Sequence, residues 1–371
     1  MSDLGIDLGT GSVKAALVED GQVVTKAGRG YPVEAPHPGW AESDPSQWLE
    51  ATRDVVERAL AGQPRPRSVG FSGQMHGVIV TDAHLRPLRP AILWADTRSV
   101  AQAQAMARDL PPELLSRLGS PAVAGFAATT LAWLAQNEPE VMARAAHALQ
   151  PKDWLRAALG GQVATDPSDA SGTLLCDVVT ATWQHEALAW AGIDPVLLAP
   201  IRDSSAGTGT VELGGVGRPS VVGGADTACA LTGLGLGPGE GFVAVGSGAQ
   251  VVRVMDVPHL DASLRTHTFA SAGAPGSQWY RIGAVQSSGL SLTAALAWLD
   301  ATVDEASAAL AEGVRSDDPL FVPYLSGERT PFMDPTLRGS WHGLTLATGR
   351  AAMLRSILEG VAQAVALGVD A

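Results

Sequence analysis

Cysteine and lysine are scarce in this 371-residue chain, and positive charge is outnumbered. Cys176 and Cys229 are the only cysteines, far apart and in no metal-ligand spacing. That argues against a disulfide scaffold and suits a reducing cytosol. Only three residues are lysine, and Lys plus Arg total 25 against 38 Asp plus Glu, a net charge of −13. Such an acidic balance argues against a protein that grips nucleic acid or an anionic membrane along much of its surface. A small anion can still be held by backbone N–H groups and one or two cations. The N-terminus lacks the charged-then-apolar order of a signal peptide. Three long uncharged runs are 227–239, 241–252 and 282–299. The first two are too short to span a bilayer, and the third reads as a loop plus a core helix. A cytoplasmic protein with no membrane or nucleic-acid partner is the expectation. Also absent are G-x-x-x-x-G-K-[ST], G-x-S-x-G, H-E-x-x-H and G-x-G-x-x-G. P-loop, serine-hydrolase, zincin and dinucleotide readings are correspondingly weak.

What is present is ample core material, with 46% hydrophobic residues and only 17% charged. At about 100–200 residues per domain, two or three domains follow. Residues 4–8 and 13–18 read as strands flanking Gly9-Thr10-Gly11-Ser12, a hairpin whose tip exposes backbone N–H groups. Asp20-Gly21 turns the chain into a third strand at 22–26. A second glycine-tipped hairpin follows at 242–246 and 250–254, and the recurrence suggests a duplicated architecture. Asp44-Pro45 starts a helix that runs to Gly62. Residues 67–72 and 77–81 read as strands, and 100–118, 128–149 and 183–191 as helices. A further helix begins at Thr227, and Thr348 caps the last one. The glycine- and proline-rich stretch Gly233–Gly241 is the expected boundary, giving domains 1–238 and 239–371 in a mixed α/β protein.

Several residues stand where chemistry is done. Asp7 lies inside an apolar strand just before the first glycine tip. A carboxylate there fits an acid associated with Mg²⁺ beside a phosphate loop, or one that hydrogen-bonds the turn. Asp226 follows two glycines at a strand-to-helix junction, where it can serve as a general base or as a helix N-cap. Met75-His76, between two glycines after a strand, can line a pocket or be structural. Lys14 stands just past the first tip, where a phosphate-contacting cation is plausible and a solvated lysine equally so. Residues 326–331 (SGERTP) with Asp334 and Arg338 read as a ligand site or as an Arg–carboxylate network pinning a loop.

Taken together, the segments GIDLGTGSVKAALV (5–18), GFSGQMHGVIVTD (70–82), LRPAILWADTRS (88–99), LQPKDWLR (149–156), TDPSDASGTLLCDV (165–178), GGADTACA (223–230) and FVPYLSGERTPFMDPTLRG (321–339) resemble the FGGY family of carbohydrate kinases. The blocks lie in order over nearly the whole chain. The resemblance implies the two-lobed, duplicated fold of sugar kinases, actin and Hsp70, which is ribonuclease H-like. It implies Asp226 as the base for a sugar hydroxyl attacking the γ-phosphate of ATP, and Asp7 as the catalytic and Mg²⁺-associated acid. Met75, His76, Thr227 and Trp94 fall at sugar-contacting positions. Thr10, Gly11, Ser12, Lys14, Gly246, Ser247, Gly248 and Gly289 fall at nucleotide-contacting ones. The implied substrate is a small sugar, D-xylulose, and the implied assembly a homodimer.

Three departures from the family pattern bear on these expectations. Thr227 stands where Asn is usual, which opens the identity of the sugar to another ketopentose or polyol. The second tip, Gly246-Ser247-Gly248, replaces a Gly-Thr-Ser-Gly pattern but keeps a hydroxyl. The chain stops at Ala371, before the glycine-rich turn and helices with which the family holds adenosine. The second lobe is therefore expected to be truncated, and a catalytically impaired sugar-binding protein stands beside the kinase as an alternative.

Overall fold

A computed structural model describes residues 2–371 and divides the chain into two compact units. The first comprises Met1–Leu236, Asp256–Ala262 and Phe269–Tyr280; the second comprises Gly237–Met255, Ser263–Thr268 and Arg281–Ala371.

The first unit opens with an antiparallel meander of β1 (Ser2–Leu8), β2 (Ser12–Glu19) and β3 (Gln22–Gly30). Asp20 and Gly21 both have positive φ, 49° and 78°, as the two-residue turn between right-twisted strands requires. The sheet continues on the other side of β1 through strand Val69–Gly73, which runs parallel to it, and then to 216–221 and 207–213. The short strand Gly224–Ala225 also pairs in parallel with 69–73. Helix α1 (Pro45–Leu60) covers one face of this sheet. Its start is as expected: Asp44 accepts from the Ser46 N–H at 2.8 Å and Pro45 takes the first helical position. Its buried stripe of Trp48, Ala51, Val55, Val56 and Ala59 packs with Leu4, Ile6, Leu8, Val69 and Phe71 to form the core.

Proline overrules helical periodicity in two places. The expected helix 100–118 is two helices, Val100–Asp109 and Pro112–Arg117, because Pro111 has no N–H and drives Leu110 into an extended conformation. The expected helix 128–149 ends at Asn137, makes one short turn at Pro139–Met142, and finishes as strand His147–Leu149 paired with Ile79–Thr81. Likewise 183–191 begins as strand Thr182–Trp183 before helix His185–Ala191.

The second unit also opens with a hairpin, Gly241–Val245 and Ala249–Met255, tipped by Gly246-Ser247-Gly248. It belongs to a four-stranded sheet in the order 241–245, 249–255, 279–285, 267–270. Helices Gly289–Trp298, Val303–Ala311 and Arg350–Asp370 follow. The last begins behind Gly349, not Thr348, whose hydroxyl instead accepts from the Thr345 N–H at 2.9 Å. Helix Arg350–Asp370 is long and apolar enough, by length and composition alone, to cross a membrane. In this fold its Leu354 and Ile357 join Leu296, Ala306 and Phe321 in a core, and buried Arg355 pairs with Asp318 at 2.6 Å.

Candidate active site

Three parallel strands of the first unit deliver the expected residues to one edge. In the register, Leu8 lies beside Gly73, and Gly73 beside Ala225. The chain therefore leaves all three strands at the same end, where ligands gather in parallel α/β sheets. β1 leads into the Gly9–Ser12 tip, 69–73 into Gln74-Met75-His76, and 224–225 into Asp226. Asp7, Ser72 and Gly224 lie one step back in the same register.

The junction before Asp226 is closely packed. Gly223 has φ +81°, and a Cβ there would lie 2.0 Å from the Phe71 carbonyl oxygen. Only glycine fits this conformation at this separation. Asp226 then opens helix Asp226–Leu234 as its first residue, the N-cap being Ala225. The N-cap role open to it in sequence is thus not the one it plays. Its Oδ1 accepts from its neighbour's N–H at 2.6 Å and from the Thr227 hydroxyl at 3.2 Å. Surrounding protein partly desolvates the carboxylate and pushes its pKa above the usual range; the Thr227 N–H opposes this and the charge of Asp7 adds to it. Solvent still reaches the side chain, which moderates the push.

Asp7 does not hydrogen-bond the turn. Gly9 N–H donates to Ser12 O at 2.9 Å, and the half-buried Asp7 carboxylate has no hydrogen-bond or ion-pair partner among the described residues. Among those residues no cluster of three metal-ligating side chains exists. One acid without a partner beside N–H groups fits Mg²⁺, which takes one or two carboxylates and completes its shell with phosphate and water. Lys14 is exposed and opposite Asp7 in the β1–β2 register, yet forms no salt bridge with it. Thr10 accepts from the Trp94 indole N–H at 2.9 Å, which ties Trp94 to the tip.

His76 has a left-handed backbone, φ 72°, held by the Gly77 N–H to Met75 O bond of 2.9 Å. Such strain in a non-glycine residue is characteristic of sites. Its Nδ1 lies 2.6 Å from Gly172 O. A carbonyl can only accept, so Nδ1 carries a proton and donates it there. Phe126 stacks on the ring at 3.8 Å, and the Tyr280 hydroxyl reaches Met75 Sδ at 3.5 Å. Phe126, Gly172 and Tyr280 escaped sequence reasoning because nothing in their local pattern marks a partner about 50–200 positions away. A cavity of about 1130 Å³ is lined by Ala15, Ala27 and Phe71 together with Asp7, Lys14, Gly223 and Gly224, but not by Met75, His76 or Asp226.

In the second unit the tip Gly246–Gly248 rests on the start of helix Gly289–Trp298. Gly289 N–H donates to Gly246 O at 3.1 Å, and a Cβ on Gly289 would lie 2.1 Å from that oxygen. The SGERTP segment is pinned through Glu328, which accepts from the N–H groups of Gln286, Ser287 and Arg329 at 2.6, 3.1 and 2.7 Å. Of the two readings open in sequence, the Arg–carboxylate network does not form in this way: Arg338 bonds backbone carbonyls and Arg329 approaches His267 at 3.3 Å.

Residues 3–233 match the N-terminal domain of the FGGY family of carbohydrate kinases, and 243–371 its C-terminal domain. The chain is 35% identical to the xylulose kinase of Klebsiella pneumoniae, over 99% of this chain and 78% of that protein. It is 31% identical to a gluconokinase of Bacillus subtilis, over 96% and 74%. The solved xyloylose kinase of Brucella ovis superimposes with TM-score 0.92 at 34% identity, covering 100% of this chain and 79% of that one. The fold is the sugar-kinase and actin-like α/β fold, and the chain belongs to the FGGY family of carbohydrate kinases, enzymes of ATP-dependent sugar phosphorylation.

Proposed function

We propose that this kinase transfers the γ-phosphoryl group of ATP to D-xylulose, giving D-xylulose 5-phosphate, with Asp226 as the general base. The observation that carries the reading is the convergence of Asp7, Met75-His76 and Asp226 at one edge of the first sheet, with Asp226 freed from capping. Asp226 takes the proton of the attacking hydroxyl, and its desolvated carboxylate is the stronger base for it. Met75 and His76 orient the sugar, and Trp94 and Thr227 flank it. Asp7 holds Mg²⁺, which when bound neutralises charge on the phosphates. The N–H groups of Thr10, Gly11 and Ser12 with Lys14, and those of Ser247 and Gly248, hold phosphate and nucleotide, while Gly246 and Gly289 bring the backbone close enough to line that site. The reaction belongs in the cytoplasm.

A coupled ADP-release assay over D-xylulose, D-ribulose, glycerol and gluconate tests the reading. Highest kcat/KM is expected for D-xylulose, with turnover lost in Asp226→Ala. Turnover without sugar, or turnover unaffected by that substitution, would sink it. One observation favours a different ketopentose or polyol: Thr227 turns its hydroxyl onto Asp226. A panel led by another acceptor would decide for that second reading.

A further inference from the structure

We propose that Asp166 and Ser168 form a buried relay that positions Asp226 by fixing the backbone junction immediately before it. The inference rests on the reading of Asp226 as the base.

The junction has little freedom of its own. Gly223 lies against Phe71, and residues 223–225 are buried, so their backbone polar groups need partners inside the protein. Those partners come from one cluster. Arg156 donates to Val222 O, Gly223 N–H donates to Ser204 O at 2.9 Å, and Ala225 N–H donates to Ser168 Oγ at 2.9 Å. Asp166 connects the two serines: its Oδ2 accepts from Ser168 Oγ at 2.5 Å and from Ser204 Oγ at 2.8 Å. Its Oδ1 faces Lys152 Nζ at 3.1 Å. Asp166, Ser168 and Lys152 are all fully buried.

Proton counting gives the relay a direction. A serine hydroxyl has one proton, and giving it to Asp166 leaves the Ser168 lone pairs to accept from Ala225 N–H. Replacing Asp166 by Asn keeps the shape and reverses that order. The ammonium of Lys152 claims the amide oxygen, so the NH₂ faces the serines. Ser168 must then accept from it, which uses one of its two lone pairs and leaves its own buried proton without the carboxylate that fixed the hydroxyl's orientation toward the Ala225 N–H. Asp169 is the natural contrast, equally buried and 2.9 Å from Lys152, but with no side-chain bond to the junction. Asp166 and Ser168 are positioning residues, acting on the reaction only through Asp226.

The test is a set of variants in the full chain, measured with the preferred sugar and by thermal melting. Ser168→Ala and Asp166→Asn are expected to lower kcat about 10- to 100-fold with sugar KM within twofold, while Asp169→Asn stays within twofold in both. In an Asp226→Asn background, Ser168→Ala is expected to add no further loss. Wild-type kcat in folded Ser168→Ala overturns the relay, as does an equal loss in Asp169→Asn or an additive loss in the double variant. If Ser168→Ala does not fold, the isosteric Asp166→Asn carries the test; failure of both to fold shows a purely structural role and overturns the proposal. An active Asp226→Asn enzyme refutes the base reading, whereas an inactive one beside a fully active Ser168→Ala refutes only the relay.

Discussion

Asp226 carries its charge at a helix start that favours anions, yet its pKa is raised by partial desolvation and by Asp7. A base works only when ionised, so kcat is expected to fall on the acid side through a pKa above about 3.9, the ordinary Asp value. Asp7→Asn removes a neighbouring negative charge and is expected to move that acid limb to lower pH, alongside its cost to turnover. A pH–rate profile of the residual activity checks the sign. Gly223 offers a structural counterpart at the same scale. Gly223→Ala places a Cβ 2.0 Å from Phe71 O at positive φ. A loss of about 1–3 kcal/mol is expected from overpacking, read as a lower urea midpoint at unchanged m-value.

Among the elements, α1 was legible because cap, proline and apolar stripe agree with one another. Its cap is exposed and local, so Asp44→Ala is expected to cost about 1 kcal/mol with sugar turnover unchanged, measured by urea denaturation beside the kinase assay. Residues 143–149 were misread as helix because alanine-rich sequence has helical propensity, whereas His147–Leu149 gains its ladder only from Ile79–Thr81, far away in sequence. The glycine tips were legible as turns. That Gly246 and Gly289 meet within one unit was not, since only the packed helix shows which carbonyl a Cβ would strike.

For the molecule as a whole, the least legible feature is the ionic cluster of Lys152, Asp153, Arg156, Asp166 and Asp169, all buried. Burial disfavours the Lys152 ammonium, but Asp153, Asp169 and Asp166 outweigh it and hold the group protonated. Burial pushes the Asp169 carboxyl well up, against the pull of the Lys152 ammonium beside it. Lys152→Met strands those acids and is expected to cost about 3–5 kcal/mol. The stranded carboxyls then have folded-state pKa values above their unfolded ones, so they take up protons on folding and the variant recovers stability as pH falls. Urea melts at pH 5 and pH 8 test this; a deficit that does not shrink at pH 5 speaks against it.

Chain order alone determined the family, the sheet-and-helix class, and the candidate acids and glycine tips, because short-range patterns of strand, turn and cap carry that information. It could not show that Asp226 is uncapped, that Asp7 has no partner, or that Ser168 reaches the junction. Those facts depend on which side chains meet across tens of residues. Only the packed sheet, with Leu8, Gly73 and Ala225 in one line, decided them.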